Sequence, residues 1–155
     1  MSLSVAIQMD PIAAINIRGD SSFALGLEAQ RRGHHLWCYT PDMLSLAEGG
    51  VQATGHSLNL RDEIGNHFDG GPMEERTLTD FDVILMRQDP PFDMAYITAT
   101  HILEMLPAST MVVNNPAEVR NAPEKLLVTF YPELMPATLI SRNPAAIADF
   151  RKRHN

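Results

Sequence analysis

Short apolar runs recur along the chain, separated by polar stretches rich in proline, glycine and asparagine. Residues 4–9 (Ser-Val-Ala-Ile-Gln-Met) read as a buried strand. It stops at Asp10-Pro11, because proline has no amide to give to a ladder. A loop follows through Arg18-Gly19-Asp20, and Ser21 or Ser22 is placed to cap a helix ending near Arg32. Phe23 and Leu27 fall at helical spacing, and Gly33 suits the first position past the helix end. Residues 35–39 (His-Leu-Trp-Cys-Tyr) form a second strand. Thr40-Pro41 opens a short predicted helix over 42–47.

Beyond the Gly49-Gly50 turn, residues 51–60 alternate loosely and suit antiparallel pairing, whereas 62–79 is polar, non-periodic and expected to be a mobile loop. A strong strand covers 81–86, broken by Arg87-Gln88-Asp89-Pro90-Pro91; a helix spans 93–106 and a strand 110–114. Asn115-Pro116 opens a short helix with a capping side chain and a proline at its first turn. This alternation predicts an α/β fold, an open, mainly parallel sheet with helices on both faces. Ligands of such sheets sit beyond the carboxyl ends of the strands. Here those ends are Asp10-Pro11, Tyr39-Thr40, Arg87-Gln88-Asp89 and Asn114-Asn115.

After Asn121 the pattern restarts. A helix is predicted over 123–131, a strand over 137–141, and a final helix from Asn143-Pro144 to Arg153. A strand and crossover helix ordinarily lead to another strand, so the second module, 122–155, reads as the beginning of something larger than 1–121 alone.

Composition narrows the picture. With 155 residues, 45% of them apolar, the chain can bury a sizeable core. A net charge of −7 argues against nucleic acid as partner, since a phosphate backbone calls for a basic face. Cys38 is the only cysteine, which excludes an intramolecular disulfide and a thiolate zinc cluster. No apolar stretch approaches the roughly 20 residues that span a bilayer. The expectation is a cytoplasmic chain with no membrane partner.

Arg87 and Asp89 follow a buried strand directly. An arginine there can hold a carboxylate or phosphate through two parallel hydrogen bonds, or can form a structural ion pair. Spacing alone leaves both open. Asp10 ends the first strand, and Asp20-Ser21-Ser22 opens a helix whose N-terminus attracts anions, although Asp20 opposes one and serine there ordinarily caps. His35 and Cys38 sit on opposite faces of one strand and do not converge. The chain carries no G-x-G-x-x-G after strand one, no phosphate-loop sequence and no nucleophile elbow.

Three strings go further than spacing. Met9-Asp10-Pro11 with Asp20-Ser21-Ser22-Phe23-Ala24 and the run Leu27 through Gly33 resembles the start of bacterial glutathione synthetase. So does the run Asp82 through Asp93, with its specific Met-Arg-Gln-Asp-Pro-Pro-Phe-Asp. Val113-Asn114-Asn115-Pro116 followed by Asn121 and Glu124-Lys125-Leu126 completes the resemblance, which runs from Val5 to the chain's end.

That family belongs to the ATP-grasp ligases. The resemblance implies that 1–121 is a substrate (pre-ATP-grasp, Rossmann-like) domain and that 122–155 begins an ATP-grasp domain. It implies ligation of γ-glutamylcysteine and glycine through an acyl phosphate, giving glutathione, ADP and phosphate. Substrate-binding roles fall on Arg87, Asp89, Asp10, Ser21 and Ser22. Arg87 would take a carboxylate, and Asp89 would orient that arginine or take the γ-glutamyl ammonium. Lys125 matches a lysine that contacts ATP. The sequence departs from the family pattern where it stops, before the glycine-rich loop, a second ATP lysine and the metal ligands. The resemblance therefore implies ATP and Mg2+ (or Mn2+) in the full-length homo-oligomer. It implies a truncated piece here, inactive alone, with no catalytic or metal-binding residue of its own and no tight cofactor. The competing expectation is a non-catalytic α/β ligand-binding or oligomerisation domain.

Overall fold

The central strand β1 (Ser4–Gln8) is buried along nearly its whole length, as a strand covered on both faces must be. The computed structural model that defines this fold describes residues 1–154. They form two units, Met1–Asn121 and a second starting at Ala122.

In the first unit, α1 (Ser21–Arg31) follows β1, and β2 (His35–Tyr39) returns parallel to it, Gln8 pairing with Tyr39. Asp20, rather than Ser21 or Ser22, caps α1: its carboxylate accepts from the Phe23 amide at 2.7 Å. Gly33 closes the helix at φ 81°, a conformation that side chains avoid. Next come β3 (Leu44–Ala47), β4 (Gly50–Leu60), β5 (Phe68–Gly70) and β6 (Glu74–Thr77), then β7 (Val83–Met86), α2 (Met94–Glu104), β8 (Met111–Val113) and α3 (Pro116–Asn121). The sheet order is β3-β4-β2-β1-β7-β8, with β5 and β6 also paired to β4.

The α/β class is as expected, and β2, β1, β7 and β8 form the parallel core. The other half is antiparallel, built around β4. The helix expected over 42–47 is a single 3-10 turn, Pro41–Met43, followed by β3. The Gly50 turn folds that segment back onto β4, where Leu44 pairs with Ala53, and ladder pairing outweighs a marginal local helix signal. The stretch 62–79 is likewise not purely a loop, for it holds β5 and β6. Arg61 organises its first part by pairing with Asp69 and donating to Asn66 Oδ1 at 2.7 Å.

Two cores flank the sheet. On one face Val5, Ile7, Met9, Leu36 and Cys38 pack with Phe23 of α1. On the other, Ala6, Trp37, Tyr39, Ile84 and Met86 pack with Leu103 of α2. Gly55 of β4 lies against both β2 backbone and indole. A Cβ there would meet the Cys38 carbonyl oxygen and come within 2.7 Å of the Trp37 ring.

The second unit contains α4 (Glu124–Leu127), 3-10 turns at Val128–Phe130 and Pro132–Leu134, and α5 (Pro144–His154). The helix expected over 123–131 thus tightens after one turn, with Tyr131 at φ −124° and ψ 61° ahead of Pro132. Residues 137–141 are not a strand. Among the described residues they have no neighbouring strand to pair with, and Thr138 instead bonds the Pro136 carbonyl at 2.8 Å. Asn143 caps α5 as its sequence predicts, accepting from the Ala145 amide at 3.0 Å.

Candidate functional site

Arg87 is the first residue beyond β7, its amide still held by the Gln8 carbonyl at 2.8 Å. Alternation along the strand turns its side chain to the α1 face. There the guanidinium donates through Nε to Ser22 Oγ at 3.2 Å and through Nη2 to Ser21 Oγ. Ser22 is buried, so this contact lies at the root of the helix N-terminus rather than in open solvent. Sequence spacing allowed an Arg87–Asp89 ion pair; among the described residues the arginine's hydrogen bonds go to the two serines instead.

Asp89 turns to an open pocket of about 520 Å³ that also receives Asp10, Pro11, Asn16 and Asp20. Cationic Arg87 with its two hydroxyls and a group of carboxylates therefore share one edge of the sheet. Tyr96 on α2 senses both sides: burial raises its phenol first, Arg87 pulls the other way and Asp89 adds to the rise. Nothing in the sequence alone singles this residue out.

His67 fixes the loop after β1, its Nε2 lying 2.8 Å from the Ile12 carbonyl oxygen. This anchor comes from the stretch that looked featureless in sequence. A second, apolar pocket of about 280 Å³ adjoins Asp10 and is walled by Met9, Cys38, His56 and Phe68. Cys38 Sγ lies 3.5 Å from His56 Nε2, and burial pushes the thiol up to about 12. A thiol so held stays protonated at neutral pH and is a poor nucleophile.

Lys125 stands in the second unit, on the wall of an apolar pocket of about 820 Å³ with Val128, Tyr131, Leu134 and Ile140. Among the described residues, no three histidine, cysteine, aspartate or glutamate side chains are grouped to hold a metal ion. No helix among them is long and apolar enough to cross a membrane.

Fold and edge chemistry define the first unit as an open-sheet α/β domain with its polar groups gathered at the carboxyl ends of the strands. Residues 3–120 match the family model of the prokaryotic glutathione synthetase N-terminal domain, and the chain belongs to that family. A glutathione synthetase of Bradyrhizobium diazoefficiens is 58% identical over 154 residues, 99% of this chain and 49% of the relative. That of Brucella melitensis is 55% identical over 152 residues, 98% of this chain and 49% of the relative. That of Escherichia coli is 42% identical over 154 residues, 99% and 49% respectively. The chain spans about half the length of the curated relatives it matches.

Proposed function

We propose that this chain is the substrate-holding part of a glutathione synthetase, with Met1–Asn121 as the substrate domain and the unit from Ala122 as the beginning of an ATP-grasp domain. The observation that carries the reading is the cradle of Arg87, Ser21 and Ser22 beside the pocket of Asp10 and Asp89. A γ-glutamyl head is a zwitterion. Its carboxylate suits the guanidinium, which offers paired donors, and its ammonium suits the carboxylates.

In the proposed reaction, the cysteinyl carboxylate of γ-glutamylcysteine attacks the terminal phosphorus of ATP and ADP leaves. The glycine amine then attacks the acyl phosphate carbon, phosphate departs, and an amide forms. The role of these residues is to hold and orient the dipeptide, since positioning converts an encounter into a unimolecular step. Lys125 is assigned to ATP. Magnesium, or manganese, would serve the ATP chemistry of the full-length enzyme, and among the described residues no grouped donor set would hold it. These 155 residues alone would bind without ligating. The full-length protein is proposed to work in the cytoplasm as a homo-oligomer.

Two experiments test this. Calorimetry of the chain with γ-glutamylcysteine should give a heat of binding that Arg87→Ala removes; heat that survives the substitution overturns the role of Arg87. A chimera joining this chain to the second half of the Bradyrhizobium diazoefficiens relative should make glutathione from γ-glutamylcysteine, glycine, ATP and magnesium. A folded but inactive chimera would favour the non-catalytic binding-domain reading.

A further inference from the structure

Gln8, the last residue of β1, is fully buried yet polar. It shares the face of Ala6, opposite the α1 face on which Val5 and Ile7 lie. Its carbonyl accepts from the Arg87 amide at 2.8 Å, and its side-chain Nε2 donates to Gln88 Oε1. The β1–β7 register ends at Gln8 and Met86, and that of β7 with β8 ends at Leu85 and Val113. Residue 88 therefore lies past the last strand pairing on either side, where the backbone loses the constraint that fixes which way successive side chains point. Gln8 Oε1 meanwhile has no hydrogen-bond partner among the described residues. An orphaned buried acceptor costs folding free energy, so stability alone would favour an apolar residue here.

We propose that Gln8 is a positioning residue: by clasping Gln88 on the far face of the sheet, it holds Arg87 and Asp89 turned toward the α1 face and its pocket. The clasp extends strand alternation two residues beyond the ladder. Gln88 is pinned to one side, so its neighbours on each side are presented to the other. This assignment rests on the reading that Arg87 and Asp89 hold substrate, but the geometry it describes is testable without any ligand.

The test uses the 155-residue chain with Gln8→Met and Gln88→Met, each near in volume and lacking the amide. The first readout is 15N relaxation of the Arg87 Nε–H, assigned by its loss in Arg87→Lys. In the wild type it should lie in the rigid range, near an order parameter of about 0.85, and in either variant fall below about 0.6. Melting temperature of Gln8→Met should stay level or rise, a separation that a merely structural role would not produce. The γ-glutamylcysteine dissociation constant should rise roughly tenfold in each variant and no further in the double variant, since both break one contact. An Arg87 Nε that stays rigid in both variants overturns the proposal. If Gln8→Met fails to fold, the half-buried Gln88→Met decides. If binding proves indifferent to Arg87→Ala, the substrate reading fails while the relaxation result still judges the clasp.

Discussion

Arg87 Nε reaches Ser22 Oγ at 3.2 Å across 65 residues of chain, joining the end of β7 to the first turn of α1. Charge-assisted hydrogen bonds are worth about 1.5–3 kcal/mol. Substituting Arg87→Ala should weaken γ-glutamylcysteine binding by about tenfold to a hundredfold, read by calorimetry. Arg87→Lys should rescue only part of this, because one ammonium on a flexible stem cannot reproduce the planar fork.

The cap of α1 gives a separate stability test. Asp20→Ala removes the acceptor for the Phe23 amide and should cost about 1 kcal/mol, within a range of roughly 0.5–2, in urea denaturation. Asp20→Asn should restore most of that, since an amide oxygen caps as well as a carboxylate.

At Gly55 the backbone has no room for a side chain. Gly55→Ala forces the new methyl against the Cys38 carbonyl and the Trp37 ring, and should destabilise the first unit by at least about 1–3 kcal/mol. A shift in the denaturation midpoint, with a parallel change in Trp37 fluorescence, would report it. A neutral result would mean that β4 can move away from β2 at little cost.

Cys38 sets an alkaline limit. Its folded thiol is raised from the ordinary 9.0 to about 12 by burial. Below pH 9 the thiol is protonated in both states and costs nothing. Above it the unfolded chain ionises while the folded chain does not, so the unfolded state binds fewer protons and stability falls as pH climbs from 9 toward 12. Tyr39 is also raised by burial and adds to the decline. The cysteine share is isolated by comparison with Cys38→Ala, whose stability should fall less steeply over that window in denaturation at stepped pH. The same protonated thiol should react slowly with a disulfide reagent at pH 8 until the chain is unfolded.

The parallel core was legible because β1, β2, β7 and β8 are continuous apolar runs cut off by proline, asparagine or charge. The extents of α1 and α2 were legible from the sequence to within a few residues. The pairing of Leu44 with Ala53, and of Phe68 and Arg76 with β4, left no local signal, because these short exposed strands depend on a partner remote in sequence. The reverse error fell on 137–141, whose residues suit a strand but have no partner among the described residues. At the site, Arg87 and Asp89 stood out because ligands favour that edge of the sheet. Tyr96, Gln8 and Gln88 did not, since their roles come from contacts between β1, β7 and α2. Which serine or aspartate capped α1 was equally beyond the sequence, as Asp20, Ser21 and Ser22 are all of types that cap well.

The pairing of Val5 with Val83 has a consequence for synthesis. As the chain leaves the ribosome, β1 can find β2 early, but its other edge stays bare until β7 has emerged. For that interval an apolar central strand is exposed on one side, the condition that invites pairing with a foreign edge. The cradle of Ser21, Ser22 and Arg87 cannot exist before then. Growth at slow translation, or pauses placed before β7 has cleared the ribosome, should therefore tax solubility more than pauses placed after it has.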